Sequence, residues 1–219
     1  NVNTVPRYNG SHQALPGLSA ALVPHEHVKH AVWRIVRSQK TLLDHVVGAG
    51  KTWAMTIAAM ELKRLGLSPK NMIIVPNHLV EQWSAEFLKL YPGAKILAMN
   101  KGDFAKKNRR RMLARMALGD YDAIIVSHSS FGFIDVKREA QVAWMKEQIV
   151  EIQQSIDQLK AIQGMDPRKV AAVERSKERI QAKITALLDK PKDEMMSFEE
   201  LGVTHLFVDE SHEFKNLFF

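Results

Sequence analysis

Two groups of residues in this chain could do chemistry. The first is Gly48-Ala49-Gly50-Lys51-Thr52-Trp53, placed where an apolar run gives way to a helical pattern. Glycines there let backbone N–H groups point inward, a helix N-terminus adds partial positive charge, and lysine adds a full one. Together they make a phosphate cradle. The Thr52 hydroxyl falls where a Mg²⁺ ion on those phosphates would sit. The second group is Asp209-Glu210, adjacent carboxylates at the end of the run Thr204-His-Leu-Phe-Val-Asp-Glu-Ser-His212. An acidic pair at the carboxyl end of a buried strand can hold a metal and orient an attacking water.

The match to G-x-x-x-x-G-K-[ST] is imperfect, because His45 occupies the first glycine position. Taken alone, the pattern also fits an ordinary strand–turn–helix with a solvated Lys51. The cradle and the acidic pair together are far more specific than either half.

These residues need elements to position them. Residues 42–47 read as a buried parallel strand feeding the cradle, and Ala54, Ile57, Ala58 and Leu62 form one face of the helix after it. Gly66 closes that helix as its C′ residue. Residues 72–75 are a second strand stopped by Pro76, and 79–90 a helix with Leu79, Trp83 and Phe87 at four-residue spacing. A third strand over 95–99, a basic helix over 105–118 closed by Gly119, and a fourth strand over 122–127 follow. Strands alternating with helices predict right-handed crossovers and a parallel sheet covered on both faces. Upstream, residues 1–24 read as an irregular arm lying on the domain, and Val28, Val32, Ile35 and Val36 as a short helix face.

The rhythm changes after residue 137. Val142, Met145, Ile149, Ile152, Ile156 and Leu159 form an a/d seam, Gly164-Met-Asp-Pro167 breaks it, and Val173, Ile180, Ile184 and Leu187 resume a similar stripe. The pattern predicts a helical hairpin inserted into an α/β domain, either a packed structural insertion or an arm that probes a duplex or binds a partner. The expected organisation is an N-terminal arm over 1–27 and the first part of the α/β domain over 28–136. The hairpin takes 137–190, and the rest of the α/β domain 191–219.

The chain has 219 residues, 46% of them hydrophobic, ample for one core. No run is long enough to cross a membrane and no secretory signal is visible. The sequence opens on Asn1, which reads as a cut from something longer. Having no cysteine excludes disulfides and thiolate metal sites, and fits a cytoplasmic protein. The net charge of +7 is uneven, since residues 134–200 carry 12 Lys+Arg against 13 Asp+Glu. The basic excess therefore sits mostly before the hairpin, which suggests a polyanion partner for the α/β portion. Its densest cluster is Lys101, Lys106, Lys107, Arg109, Arg110, Arg111 and Arg115, equally readable as a solvated helix face or as a phosphate-tracking surface. His25, His27, His30 and His205 lack the paired spacing of zinc ligands, and Trp33, Trp53 and Trp83 read as packing residues.

Five blocks in order resemble the first motor domain of a superfamily-two helicase, most like the Swi/Snf-type group. They are Asp44-His-Val-Val-Gly-Ala-Gly-Lys-Thr52, Met72-Ile-Ile-Val-Pro-Asn-His-Leu-Val-Glu-Gln-Trp83 with Phe87, Tyr121-Asp-Ala-Ile-Ile-Val-Ser-His128, the DExH box Val208-Asp-Glu-Ser-His212, and Lys215-Asn216. Swi/Snf-type motors also lack the first glycine, so His45 counts for the likeness. The cradle spelling and the run from Glu213 to Phe219 are more narrowly similar to bacterial and phage helicase–DNA methyltransferase fusions.

The resemblance implies a RecA-like P-loop α/β domain, interrupted by the hairpin, that uses ATP and Mg²⁺. It gives Lys51 the β- and γ-phosphates, with Gly48, Ala49, Gly50, Thr52 and Trp53 around them. Thr52 and Asp209 would hold Mg²⁺, Glu210 would position and deprotonate the attacking water, and His212 would couple that site to a second motor domain or to nucleic acid. Asn77, His78, Ser127 and His128 would follow a phosphodiester backbone, of DNA in preference to RNA. The implied partners are a second motor domain downstream with its arginine fingers, so that this stretch alone is nearly inactive, and a methyltransferase domain. Two departures stand. The family's adenine-reading glutamine is not found in Pro24-His-Glu-His-Val28. The family's next strand, which lies between the two nucleotide-site strands, would come after Phe219, so the sheet is expected to have a gap or an open edge. Apart from the resemblance, a P-loop NTPase of another class, or an interaction fragment whose hairpin binds a partner, would also fit these residues.

Overall fold

Asn71-Met-Ile-Ile-Val75 is buried at every residue, which places this strand (β1, Asn71–Val75) in the middle of a sheet with both faces covered. The computed structural model describes residues 9–38, 40–162, 166–189 and 195–214. Lys215-Asn216, the run to Phe219, Gly164-Met165, Gln39 and residues 190–194 lie outside them. The chain divides into two compact units, one of residues 1–134 with 200–219, the other of residues 135–199.

In the first unit the elements follow the order α1 (Glu26–Arg37), α2 (Lys51–Arg64), β1, α3 (Val80–Leu90), β2 (Ile96–Met99), α4 (Lys106–Leu118), β3 (Ala123–Ser127), a single-turn α5 (His128–Phe131) and, after the second unit, β4 (His205–Val208). The sheet order is β2-β3-β1-β4 and every pairing is parallel. Val75 lies opposite Ser127, and Ile74 opposite Val208. Three strands therefore end at one edge, and residues 76–77, 128 and 209 emerge side by side. Alternate residues Ile73, Val75, Ala123, Ile125 and Phe207 join a core with α1, α2 and α3, while Met72, Ile74, Ile124 and Val126 are buried on the opposite face.

The helices follow their expected apolar stripes. α1 buries Val28, Ala31, Val32 and Ile35, and α3 buries Val80, Trp83, Phe87 and Leu90. α2 ends in a Schellman motif: Gly66, at φ +70°, donates to the Lys63 carbonyl and Leu67 to the Leu62 carbonyl. Two polar side chains are tied to backbone. Asn71 Nδ2 donates to the Ala59 carbonyl, and the Lys70 ammonium donates to Met116, Ala117 and Leu201, joining the end of α4 to the approach to β4. Burial lowers the Lys70 pKa. The arm lies on α1 so closely that a Cβ at Gly10 would meet the Lys29 carbonyl oxygen at 2.1 Å.

The predicted strand over 42–47 is not found. Residues 41–46 carry no regular structure, and Leu42, Val46 and Val47 are 75%, 79% and 95% exposed. The physical reason is a missing neighbour. Among the described residues β4 pairs with β1 alone, so nothing offers residues 42–47 a ladder. The carbonyls of His45 and Val46 accept from the Lys51 ammonium instead.

The second unit is a pair of long helices, α6 (Arg138–Ala161) and α7 (Pro167–Asp189), packed on each other. Its seam centres on Ile156 and Ile184, the buried pair, with Val142, Met145, Ile149, Ile152, Leu159, Val173, Ile180 and Leu187 half-buried around them. Lys160 pairs with Glu174 at 2.8 Å across it. Among the described residues no helix is long and apolar enough to cross a membrane.

Candidate functional site

The turn over 47–50 forms because glycine can take the left-handed backbone that the turn has at positions 48 and 50. Gly48 and Gly50 sit at φ +83° and +78°, and Gly50 is the N-cap of α2. A Cβ at Gly50 would also meet Val28 Cγ2 at 3.1 Å, so position 50 is closed to side chains by α1 as well as by its backbone. The turn is held from outside by His27, whose Nε2–H donates to the Ala49 carbonyl at 2.9 Å. Sequence alone assigns no role to His27. Lys51, the first residue of α2, turns back over the loop and donates to the carbonyls of His45 at 2.9 Å and Val46 at 3.3 Å. Thr52 is half-buried, and Trp53 donates from Nε1 to Glu86 Oε2 at 3.3 Å, tying the start of α2 to α3.

Asp209 and Glu210 follow β4 in a tight turn, with Glu210 at φ +50°. The Asp209 N–H extends the ladder to the Ile74 carbonyl, and its carboxylate accepts from the Glu210 N–H at 3.1 Å through Oδ1 and from the Trp83 indole at 3.0 Å through Oδ2. Glu210 Oε2 lies 3.1 Å from His212 Nδ1. Sequence gives Trp83 a packing role only. It is 3% exposed and does pack, but its indole N–H also reaches the acidic pair, a link between positions far apart in sequence that no local pattern carries.

A cleft of about 590 Å³ has Lys51 of the first group and both carboxylates of the second in its lining. It is lined by Asp44, His45 and Lys51 from the α2 side and by residues 205–212, β4 and the turn after it, with Asp209, Glu210 and His212 among them. Of the group from Gly48 to Trp53, Lys51 lines the cleft, whereas Gly48, Ala49, Gly50, Thr52 and Trp53 do not; Val47 just before it also lines it. His205 lines the same cleft, and burial pushes its imidazole below the ordinary histidine pKa. Within the cleft the ammonium of Lys51 and the carboxylates of Asp209 and Glu210 are the kinds of group that take phosphate charge and Mg²⁺, while the glycine turn at the start of α2 lies outside its lining.

The loops after β1 and β3 also meet. Asn77 Oδ1 accepts from the N–H of Ser129 at 3.1 Å and from its hydroxyl at 2.9 Å. Asn77 and His78 are exposed, Ser127 is buried as the cap of α5, and His128 donates from Nε2 to the Asp209 carbonyl at 2.9 Å. In the basic helix, Arg110 and Arg111 are exposed, whereas the Arg109 guanidinium sits 4.6 Å from the centre of the Phe133 ring and Arg115 donates to the Tyr121 hydroxyl. The seven-residue basic cluster is therefore partly structural.

An α/β unit with an all-parallel sheet belongs to the class that binds ligands outside the strand ends, and here the cleft runs along the free edge of β4 and reaches its carboxyl end at Asp209 and Glu210. The chain belongs to the probable helicase domain family, whose model matches residues 33–219. It is also similar to the RNA polymerase-associated protein RapA of Erwinia tasmaniensis, 25% identical over 146 residues. That alignment takes in 56% of this chain and 15% of the relative, so the chain spans a small part of RapA's length.

Proposed function

We propose that this chain is the N-terminal motor domain of an ATP-dependent DNA helicase or translocase, a RecA-like, DExH-type and Swi/Snf-like domain with the helical hairpin as its insertion. The observation that carries the reading is the cleft, which Lys51, Asp209 and Glu210 line together beside the open edge of β4. The family match supports the helicase class.

In this reading the cradle from Gly48 to Thr52, with Trp53 beside it, binds the phosphates of ATP. Lys51 exchanges the carbonyls of His45 and Val46 for phosphate oxygens, so the same ammonium holds the loop closed and then binds substrate. Thr52 and Asp209 would hold Mg²⁺, which when bound would neutralise charge on the phosphates. Glu210 orients the attacking water and takes its proton, while His212 fixes the Glu210 carboxylate through their 3.1 Å contact. Asn77, His78, Ser127 and His128 present polar groups and backbone at the sheet edge, suited to phosphate contacts that ignore base sequence. A second motor domain completes the machine in the intact protein, which we place in the cytoplasm and, on its narrower likeness, in a fusion with a methyltransferase domain.

The test is ATP hydrolysis by the full-length protein with and without duplex DNA. Hydrolysis should be stimulated by DNA of any sequence, fall steeply with salt, and be lost in Lys51→Ala. Exchanging exposed Arg110 and Arg111 for glutamine should flatten the salt dependence of binding by up to about 0.9 in log–log slope for each phosphate left without its cation, sparing hydrolysis at saturating DNA. Hydrolysis indifferent to every nucleic acid added would overturn the motor reading.

A further inference from the structure

Asp209 is held by more than its own strand. Its N–H belongs to the β1–β4 ladder, its carbonyl accepts from His128, Oδ1 accepts from Glu210, and Oδ2 accepts from Trp83. Two of these donors come from different segments: Trp83 from α3, which follows the β1 loop, and His128 from the start of α5, which follows β3.

We propose that Trp83 and His128 are positioning residues that aim the Asp209 carboxylate, and that they make the Asn77–Ser129 contact mechanically continuous with it. The inference rests on the reading of Asp209 as the carboxylate that holds Mg²⁺. An indole N–H can only donate, and core packing fixes where this one points, so it selects one orientation of the carboxylate. A carboxylate oxygen has more than one acceptor direction, so Oδ2 can keep the indole bond and still face a cation. Partners of this kind set the orientation of a metal ligand, and losing one typically weakens metal binding about 10- to 100-fold. His128 acts on the backbone. Its ring is held beside Phe214, at 4.9 Å between centroids, and its Nε2–H fixes the peptide plane from which the Asp209 side chain departs. The neighbouring Ser129 is gripped by Asn77, so a displacement of either loop is passed through α5 to that peptide.

The experiment uses the full chain with ADP and Mg²⁺, and needs no turnover. Trp83→Phe keeps an aromatic ring and removes the N–H. It should raise the Mg²⁺ concentration needed for half-saturation of the ADP complex by about 10-fold, while ADP affinity without Mg²⁺ is unchanged. His128→Phe should move the same quantity in the same direction. In the unaltered protein, the indole ¹⁵N–¹H signal that disappears in Trp83→Phe should shift when Mg²⁺ is added to the ADP complex, and the signals of Trp33 and Trp144 should not. That spectroscopic arm stands even if Trp83→Phe proves unstable. An unmoved Trp83 indole signal, or an unchanged Mg²⁺ requirement in a folded Trp83→Phe, would overturn the inference if Asp209→Asn still abolished the Mg²⁺ dependence. Should Asp209→Asn itself leave that dependence intact, the metal assignment is at fault, and the inference falls with it.

Discussion

Glu210→Gln in the full-length protein is expected to leave ATP binding in place while hydrolysis drops by about 10²- to 10⁴-fold, the range spanned by a positioned general base. The substitution is close to isosteric. Glutamine keeps an acceptor within reach of His212 Nδ1, 3.1 Å from the present carboxylate oxygen, and leaves the Glu210 N–H bond to Asp209 untouched. What it loses is the capacity to take a proton from water. The left-handed backbone at Glu210 is the same burden for either side chain, so a folding defect is not expected to obscure the result. Single-turnover hydrolysis together with nucleotide binding measures both sides of the claim. Ordinary turnover by the variant would remove Glu210 from the base role and turn attention to the other groups on the cleft wall.

The largest expected effect on stability lies one helix away. Phe87 is fully buried on the face of α3 that also carries Trp83 and Leu90, with its ring 6.4 Å from that of Tyr91. Truncation to alanine removes the ring's transfer free energy and leaves a cavity that the β-sheet behind it cannot collapse into, a loss of about 3–5 kcal/mol. Against the roughly 5–15 kcal/mol that holds a domain folded, this is a large fraction. Leu88 next to it is 40% exposed and serves as the control, since Leu88→Ala should cost well under half as much. Urea unfolding of the three proteins decides it. Equal midpoint shifts for Phe87→Ala and Leu88→Ala would mean that α3 does not dock as described.

Much of this architecture is legible before any coordinates. Residues 72–75 and 123–127 are strands because short runs of Ile, Val and Met bounded by breakers fit a doubly covered sheet. Gly66 and Gly119 stop their helices where expected. The strand over 42–47 fails for a reason local sequence cannot supply. An apolar run is only a candidate strand until another strand offers it hydrogen bonds, and β4 has no second neighbour among the described residues. The glycine-lysine stretch and the acidic pair stand out in the sequence because their residue types recur at fixed spacing, and Lys51, Asp209 and Glu210 line one cleft. The bonds from Trp83 and His128 to Asp209, and from Asn77 to Ser129, depend on strand register, so they become visible only once Val75 stands opposite Ser127 and Ile74 opposite Val208. Arg109 illustrates the opposite error. Sequence counts it with its charged neighbours, while the fold lays it over Phe133.

Among the described residues the sheet order makes β4, which leads into the acidic pair, one of the two edge strands. β1 is laddered on both sides, whereas β4 leans on β1 alone. Backbone amides in these two strands should therefore trade hydrogen for deuterium on different clocks. β1 should exchange only through openings that disrupt the whole sheet, and residues 205–208 through smaller excursions of the edge. A ligand seated in the cleft rests against that loosely guarded edge, so its arrival should be legible by mass spectrometry as slowed deuterium uptake over 205–210, with uptake over 71–75 unaltered. The strand that carries the acidic chemistry is thus also the one whose protection reports occupancy.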